Sequence, residues 1–367
     1  MALRIVRVSV TPIATARHTG VTSRHLIVEL GTDHHVTGYG ELSDAEEMAW
    51  LPDLGVLSAE LDAVLVGADP ADRVDLLARL DGRFGTADPV VRWAVEIALY
   101  DLLGRALGTS VCDLLGGRRR DAMPVGYPMF PMYDRSIAQA NLAEARRRID
   151  QGFTLFKVYV CGNLEVEEWF FDEARERFGD AFTVKCLDLS ARFPPSTALR
   201  LLRRLLPRSG ALSVESPVRR GNPATLAEVR RQLPVPVSEH VWSHAEARRL
   251  LDADAVDVLN ISLAALGGFT AALDVFTLAR HAGVGTLIGG TQELSVGSAA
   301  ALHLAAAVDN LDFPGDTVGP MVYRDDVAAH PVRYRDGHAL VPDGPGLGVT
   351  VDPARLAALT SPLRRRT

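Results

Sequence analysis

KCLDLS at residues 185–190, LSVESP at 212–217 and VPVSEH at 235–240 decide the fold, because each is a short apolar run that ends on an acid. The acids are Asp188, Glu215 and Glu239, spaced 27 and 24 residues apart, about one strand–helix unit each. Working outward, strand-like runs recur at Pro124–Tyr127, Leu155–Val160, Thr183–Leu187, Ala211–Val214, Val235–Ser238, Val256–Ile261 and Val284–Ile288. Helical patterns such as Ile137–Asp150, Val166–Phe178 and Thr197–Leu205 fall between them. This alternation predicts a parallel sheet, and an eighth strand near Leu311–Phe313 would close a (β/α)8, TIM-like barrel. A doubly wound open sheet is the alternative; no Gly-rich phosphate fingerprint follows an early strand, which disfavours it.

The residues before this alternation read as a separate α+β unit. Strands are expected at Leu3–Val10, His25–Leu30 and Val36–Glu41, then a helix over Pro89–Leu107 that Gly108 stops. The expected division is an N-terminal α+β capping domain over 1–118, a barrel over 119–329, and a C-terminal segment over 330–367 that returns to the capping domain.

Composition narrows the class. At 367 residues and 47% hydrophobic the chain can bury one large barrel and a smaller domain. No apolar run has the roughly 18 residues needed to span a membrane, and the start MALRIVRVSV has no signal-peptide core, so a cytoplasmic location is expected. A net charge of −7 argues against nucleic acid. The basic runs Arg118–Arg120 and Arg364–Arg366 read as a solvated turn and a frayed terminus. Cys112, Cys161 and Cys186 lack disulfide-framework or zinc spacing. Lysine and arginine number 39, yet only Lys157 and Lys185 are lysines. An amine can lose its proton near neutral pH where a guanidinium cannot.

Chemistry in such a barrel sits at the C-terminal strand ends. Three carboxylates aimed into one space repel unless a cation neutralises them, and hard oxygen ligands suit Mg²⁺. Taken singly, each acid could instead cap the helix after it. A metal there would bind a substrate carboxylate and stabilise the charge left when the α-proton departs. In the preceding strand, FKVYV, alternation turns Lys157 and Tyr159 to the same side, and either is a candidate base. Local packing of the Tyr159 hydroxyl is the plainer alternative.

With these residues in place, the sequence resembles the mandelate racemase and muconate lactonizing enzyme branch of the enolase superfamily over nearly its whole length. The resemblance rests on GYGE at 38–41, ALYDLLGRALG and CDLLGG between 98 and 117, GFTLFKVYV at 152–160 and DVLNISLAALGG at 257–268. GGTQELSVGSAAALHLAAA at 289–307, VGPMVYRDDV at 318–327 and DGPGLGV at 343–349 complete the order. It implies Mg²⁺ held by Asp188, Glu215 and Glu239, α-proton abstraction from a small-molecule carboxylate to an enediolate, and a homo-oligomer. The C-terminal motifs look closer to muconate lactonizing enzyme, so an isomerase is expected. A sugar-acid dehydratase and a non-catalytic binding descendant are the alternatives.

The departures from the family pattern bear on the reaction. Tyr159 stands where the second lysine of a Lys-x-Lys motif is expected, and Ser262 where related members carry a strand-six lysine. No Asp–His dyad is evident on strands six and seven. His240 is a candidate acid or substrate contact, and Glu293 a candidate substrate contact, with Gln292 weaker beside it. Alternation turns Lys185 away from the metal position. His281 is expected on the surface, and His18 lies in a loop resembling the family's specificity loop.

Overall fold

The computed structural model describes residues 3–45, 53–84 and 89–362; the run Arg364–Arg366 lies outside them. The chain starts with an antiparallel meander, β1 (Ile5–Ala16), β2 (Thr22–Thr32) and β3 (Thr37–Leu42). Helices α1 (Leu54–Leu65), α2 (Arg73–Phe84) and α3 (Pro89–Leu107) follow. The β3 backbone lies directly on α3, which the glycines of GYGE permit. A Cβ on Gly40 would stand 1.8 Å from the Ala94 carbonyl oxygen, and one on Gly38 2.3 Å from that of Ala98. Gly40→Ala is therefore expected to destabilise the protein by about 1–3 kcal/mol through overpacking. Urea unfolding measures this, and an unchanged midpoint would mean that β3 and α3 separate freely.

After the short α4 (Val111–Leu114) and β4 (Ala122–Pro124), a seven-stranded sheet begins. Its strands are β5 (Tyr127–Met129), β6 (Leu155–Tyr159), β7 (Thr183–Asp188), β8 (Val214–Glu215), β9 (Val237–Val241), β10 (Val258–Ile261) and β11 (Gly285–Ile288). All neighbours are consecutive and parallel, as the alternation predicts. The crossovers carry α5 (Arg135–Asp150), α6 (Leu164–Phe178), α7 (Pro195–Ser209), α8 (Pro223–Arg230), α9 (His244–Asp252), α10 (Leu263–Leu266) and α11 (Phe269–Ala282). Side-chain caps start several of them: Asp134 accepts from Ser136 and Ile137 N–H, Asn222 from Ala224 and Thr225, and Ser243 from Glu246. Among the described residues no helix is long and apolar enough to cross a membrane.

Three expectations change. Leu311–Phe313 forms no strand; residues 312–316 instead make single backbone contacts with β11 and with the stretch 124–126 that precedes β5. Phe313 and Asp316 N–H donate to Thr286 and Ile288 of β11, and on the other side Gly315 N–H donates to Pro124 and Gly126 N–H to Gly315. The expected strand Pro124–Tyr127 divides, because β4 pairs with the hairpin β12 (Tyr334–Arg335) and β13 (His338–Leu340) while β5 joins the large sheet. The C-terminal segment thus splits its contacts: this hairpin sits on β4, and Leu347 N–H and the Val349 carbonyl reach Asp101 and Arg105 of α3. Finally, Arg118–Arg120 is not merely solvated. Arg119 Nε donates to the Ala307 carbonyl and Arg120 to that of Val308, closing the negative end of α12 (Ser295–Ala307).

Candidate active site

Both lysines of the chain turn into the sheet's inner face. Lys157, on β6, is buried, and its Nζ lies 2.5 Å from Glu215 Oε1, 3.1 Å from Asp188 Oδ2 and 3.1 Å from Asp316 Oδ2. Lys185 was expected to point away. The β6–β7 register explains why it does not: Phe156 pairs with Val184 but Lys157 with Cys186, so Lys185 is the extra residue of a bulge. A bulge re-aims the side chain it carries, and Lys185 Nζ reaches Asp316 Oδ1 and the Gly315 carbonyl. Asp316 was missed in the sequence. It ends the segment in which an eighth strand is expected, so the strand-end rule that found the other acids applies to it as well.

Asp188 and Glu215 are Cα partners across β7 and β8 and face the same way. Both Glu215 oxygens are engaged: Oε1 accepts from Lys157 and lies 3.0 Å from His240 Nε2, and Oε2 accepts from Asn260 Nδ2 at 3.1 Å. Burial raises the Glu215 carboxyl pKa, but Lys157 and His240 overcome this and hold it well below its ordinary value. Burial keeps that of Asp188 above its ordinary value despite Lys157.

Glu239 does not join them. The β9 partner of Glu215 is Ser238, so Glu239, one residue on, leaves by the opposite face. There it accepts from Ser216 Oγ at 2.6 Å, lies 3.4 Å from Arg220 Nε, and lines a small cleft with Leu226 of α8 and Leu250 of α9. The inward residue is His240, paired with Asn260. Its Nε2 lies 3.0 Å from Glu215 and 3.3 Å from Asn260 Nδ2. Burial would lower the imidazole pKa; Glu215 more than offsets that and raises it.

Tyr159 shares the inner face with Lys157, whose Nζ lies 5.4 Å from its ring centroid, and it stacks on Phe130. Burial outweighs the nearby ammonium, so the phenol pKa is raised. The Lys157 ammonium pKa is also raised, because Asp316, Glu215, Tyr159 and Asp188 overcome burial.

Glu293 follows β11 and is buried; Oε1 accepts from Thr291 N–H at 2.8 Å, while Oε2 has no hydrogen-bond partner. Burial pushes its carboxyl up to about 7. Gln292 beside it holds φ at 64°, and its side-chain oxygen is buried without a partner. Ser262, at the position of the strand-six lysine, caps α10 through Ala265 N–H. His281 and His18 are exposed.

Strand-end acids gathered round a buried ammonium, on a parallel sheet preceded by an α+β unit, define an enolase-type enzyme. Residues 1–116 match the mandelate racemase / muconate lactonizing enzyme N-terminal domain, and residues 140–355 the enolase C-terminal domain-like family. The chain is 29% identical over 359 residues to muconate cycloisomerase 1 of Pseudomonas putida, covering 94% of this chain and 93% of that one. It is 27% identical over 343 residues to N-succinyl-L-Arg/Lys racemase of Bacillus cereus, covering 91% and 90%. Among solved structures, 2-chloromuconate cycloisomerase from Rhodococcus opacus 1CP matches with a TM-score of 0.88 and 26% identity over 98% of this chain and 100% of that one. The chain belongs to the mandelate racemase and muconate lactonizing enzyme branch of the enolase superfamily. It is an isomerase of that superfamily, a family that is metal-dependent.

Proposed function

We propose that this isomerase removes and returns the α-proton of a small-molecule carboxylate at the C-terminal end of its parallel sheet, and that residues 311–316 complete a (β/α)8-type barrel around that end. The observation that carries the reading is the Lys157 ammonium held among Asp188, Glu215 and Asp316, with His240 and Tyr159 partly open beside it. The Lys157 ammonium offsets part of the charge of those acids and holds Asp188 and Glu215 in place, while the charge of a developing enediolate is met by hydrogen-bond donors beside it. Tyr159, kept protonated, donates its O–H. His240, oriented by Glu215, and Glu293, with a carboxyl near 7, are the groups suited to moving a proton. A division at 1–118, 119–329 and 330–367, a cytoplasmic location and homo-oligomeric assembly belong to the same proposal.

The resemblance implies Mg²⁺ on Asp188, Glu215 and Glu239. The residues as arranged do not fit it, since Glu239 lies on the other face of the sheet and both Glu215 oxygens are engaged. No step here is routed through the ion.

The test is deuterium uptake from D₂O by a panel of hydroxy acids, N-acyl amino acids, dipeptides, sugar acids and lactones. Label in the recovered substrate or its isomer is the expected result, and Tyr159→Phe should slow it by about 10²-fold or more. Loss of water in place of label would reassign the chemistry to dehydration, and no label across the panel would sink the proposal.

A further inference from the structure

We infer that the strand-end carboxylates of this chain bind no divalent cation, and that the Lys157 ammonium stands in the space such an ion would need. The inference concerns the site just proposed, but it is decided by binding and needs no turnover.

Register is the first support. Pairing runs from Asp188 to Glu215 to Ser238, so one row of the inner face presents two carboxylates and a serine hydroxyl. The next inward residue of β9 is His240, already 3.0 Å from Glu215. Among the described residues, no three His, Cys, Asp or Glu side chains are grouped so as to hold one ion.

Occupancy of the oxygens is the second. Asp188 Oδ1 accepts from Ser190 N–H at 2.7 Å, and its Oδ2 lies 3.1 Å from Lys157 Nζ. Glu215 spends Oε1 on Lys157 and His240, and Oε2 on Asn260. Glu239 Oε1 accepts from Ser216 and the His240 N–H, with Arg220 nearby. Mg²⁺ demands near-ideal octahedral oxygen geometry, and here it would have to expel Lys157 Nζ from between its own ligands.

Charge is the third. Asp188, Glu215 and Asp316 face Lys157 and Lys185, leaving a single net negative charge among these buried groups. Affinity for hard cations rises with the number of carboxylates left to the ion, and the lysines have taken most of it.

The experiment titrates the full-length protein with MnCl₂ by electron paramagnetic resonance and with MgCl₂ by calorimetry. The wild type is expected to show no saturable binding at millimolar ion. Lys157→Met combined with Ser238→Asp clears the space that the ammonium fills and adds the inward carboxylate that β9 lacks, and should bring in saturable one-to-one Mn²⁺ binding. Saturable one-to-one binding by the wild type that Glu239→Gln removes would overturn the inference, because Glu239 would then turn inward as a ligand. Proton exchange that persists in EDTA supports it. Exchange that appears only with MgCl₂ overturns it and leaves the isomerase reading in place. A wild type that neither binds ion nor exchanges protons supports it and counts against the α-proton proposal.

Discussion

Lys157→Met is expected to abolish proton exchange and to destabilise the protein by about 3–5 kcal/mol, the usual cost of removing one partner from a buried ion cluster. Three carboxylates, on Asp188, Glu215 and Asp316, meet on its Nζ, and the lysine side chain is only 5% exposed. Without it, Asp316 keeps Lys185 and Glu215 keeps His240, but Asp188 loses its cation. Adding Asp188→Asn to Lys157→Met removes the charge that the single variant strands. The double variant should recover much of the stability and none of the exchange. Urea unfolding beside deuterium uptake separates the two effects. A single variant as stable as the wild type would show that solvent reaches the cluster.

Glu293→Gln should do the reverse to stability while also weakening exchange. Burial lifts the Glu293 carboxyl from an ordinary 4.5 to about 7. The native state therefore binds the proton more tightly than the unfolded chain. The stability linked to that proton is fully present below about 4.5 and is lost as pH rises through about 7. The shift corresponds to roughly 3 kcal/mol. Glutamine does not titrate, so the variant should match the wild type near pH 4 and exceed it by up to about 3 kcal/mol near pH 8. The wild-type exchange rate should also titrate near the Glu293 pKa, and the variant's should not. Equal stability at both pH values would place Glu293 in contact with water.

Much of the candidate site's geometry is legible in the sequence for simple reasons. Lys157 and Tyr159 are two apart on an apolar strand, and period-two alternation puts both on one face. Asp188 and Glu215 end neighbouring strands at one unit's spacing and are found side by side. Lys185 is misread because alternation holds only while pairing is regular, and the bulge at that residue interrupts it. Asp316 is missed because its segment contacts its neighbours through single hydrogen bonds rather than a ladder of strand pairs.

By itself the sequence determined the parallel strand–helix alternation, the separate α+β unit before it, the family, and an inward lysine beside two acids. These depend on local periodicity, on spacing along the chain, and on motif order. Only the tertiary structure decided which of Glu239 and His240 shares a face with Asp188 and Glu215, where Lys185 points, and that Asp316 ties the two lysines together. The physical reason is register. Neighbouring residues on a strand leave by opposite faces, so a one-residue difference in pairing exchanges a carboxylate for an imidazole. Spacing counted along the chain carries no record of that choice.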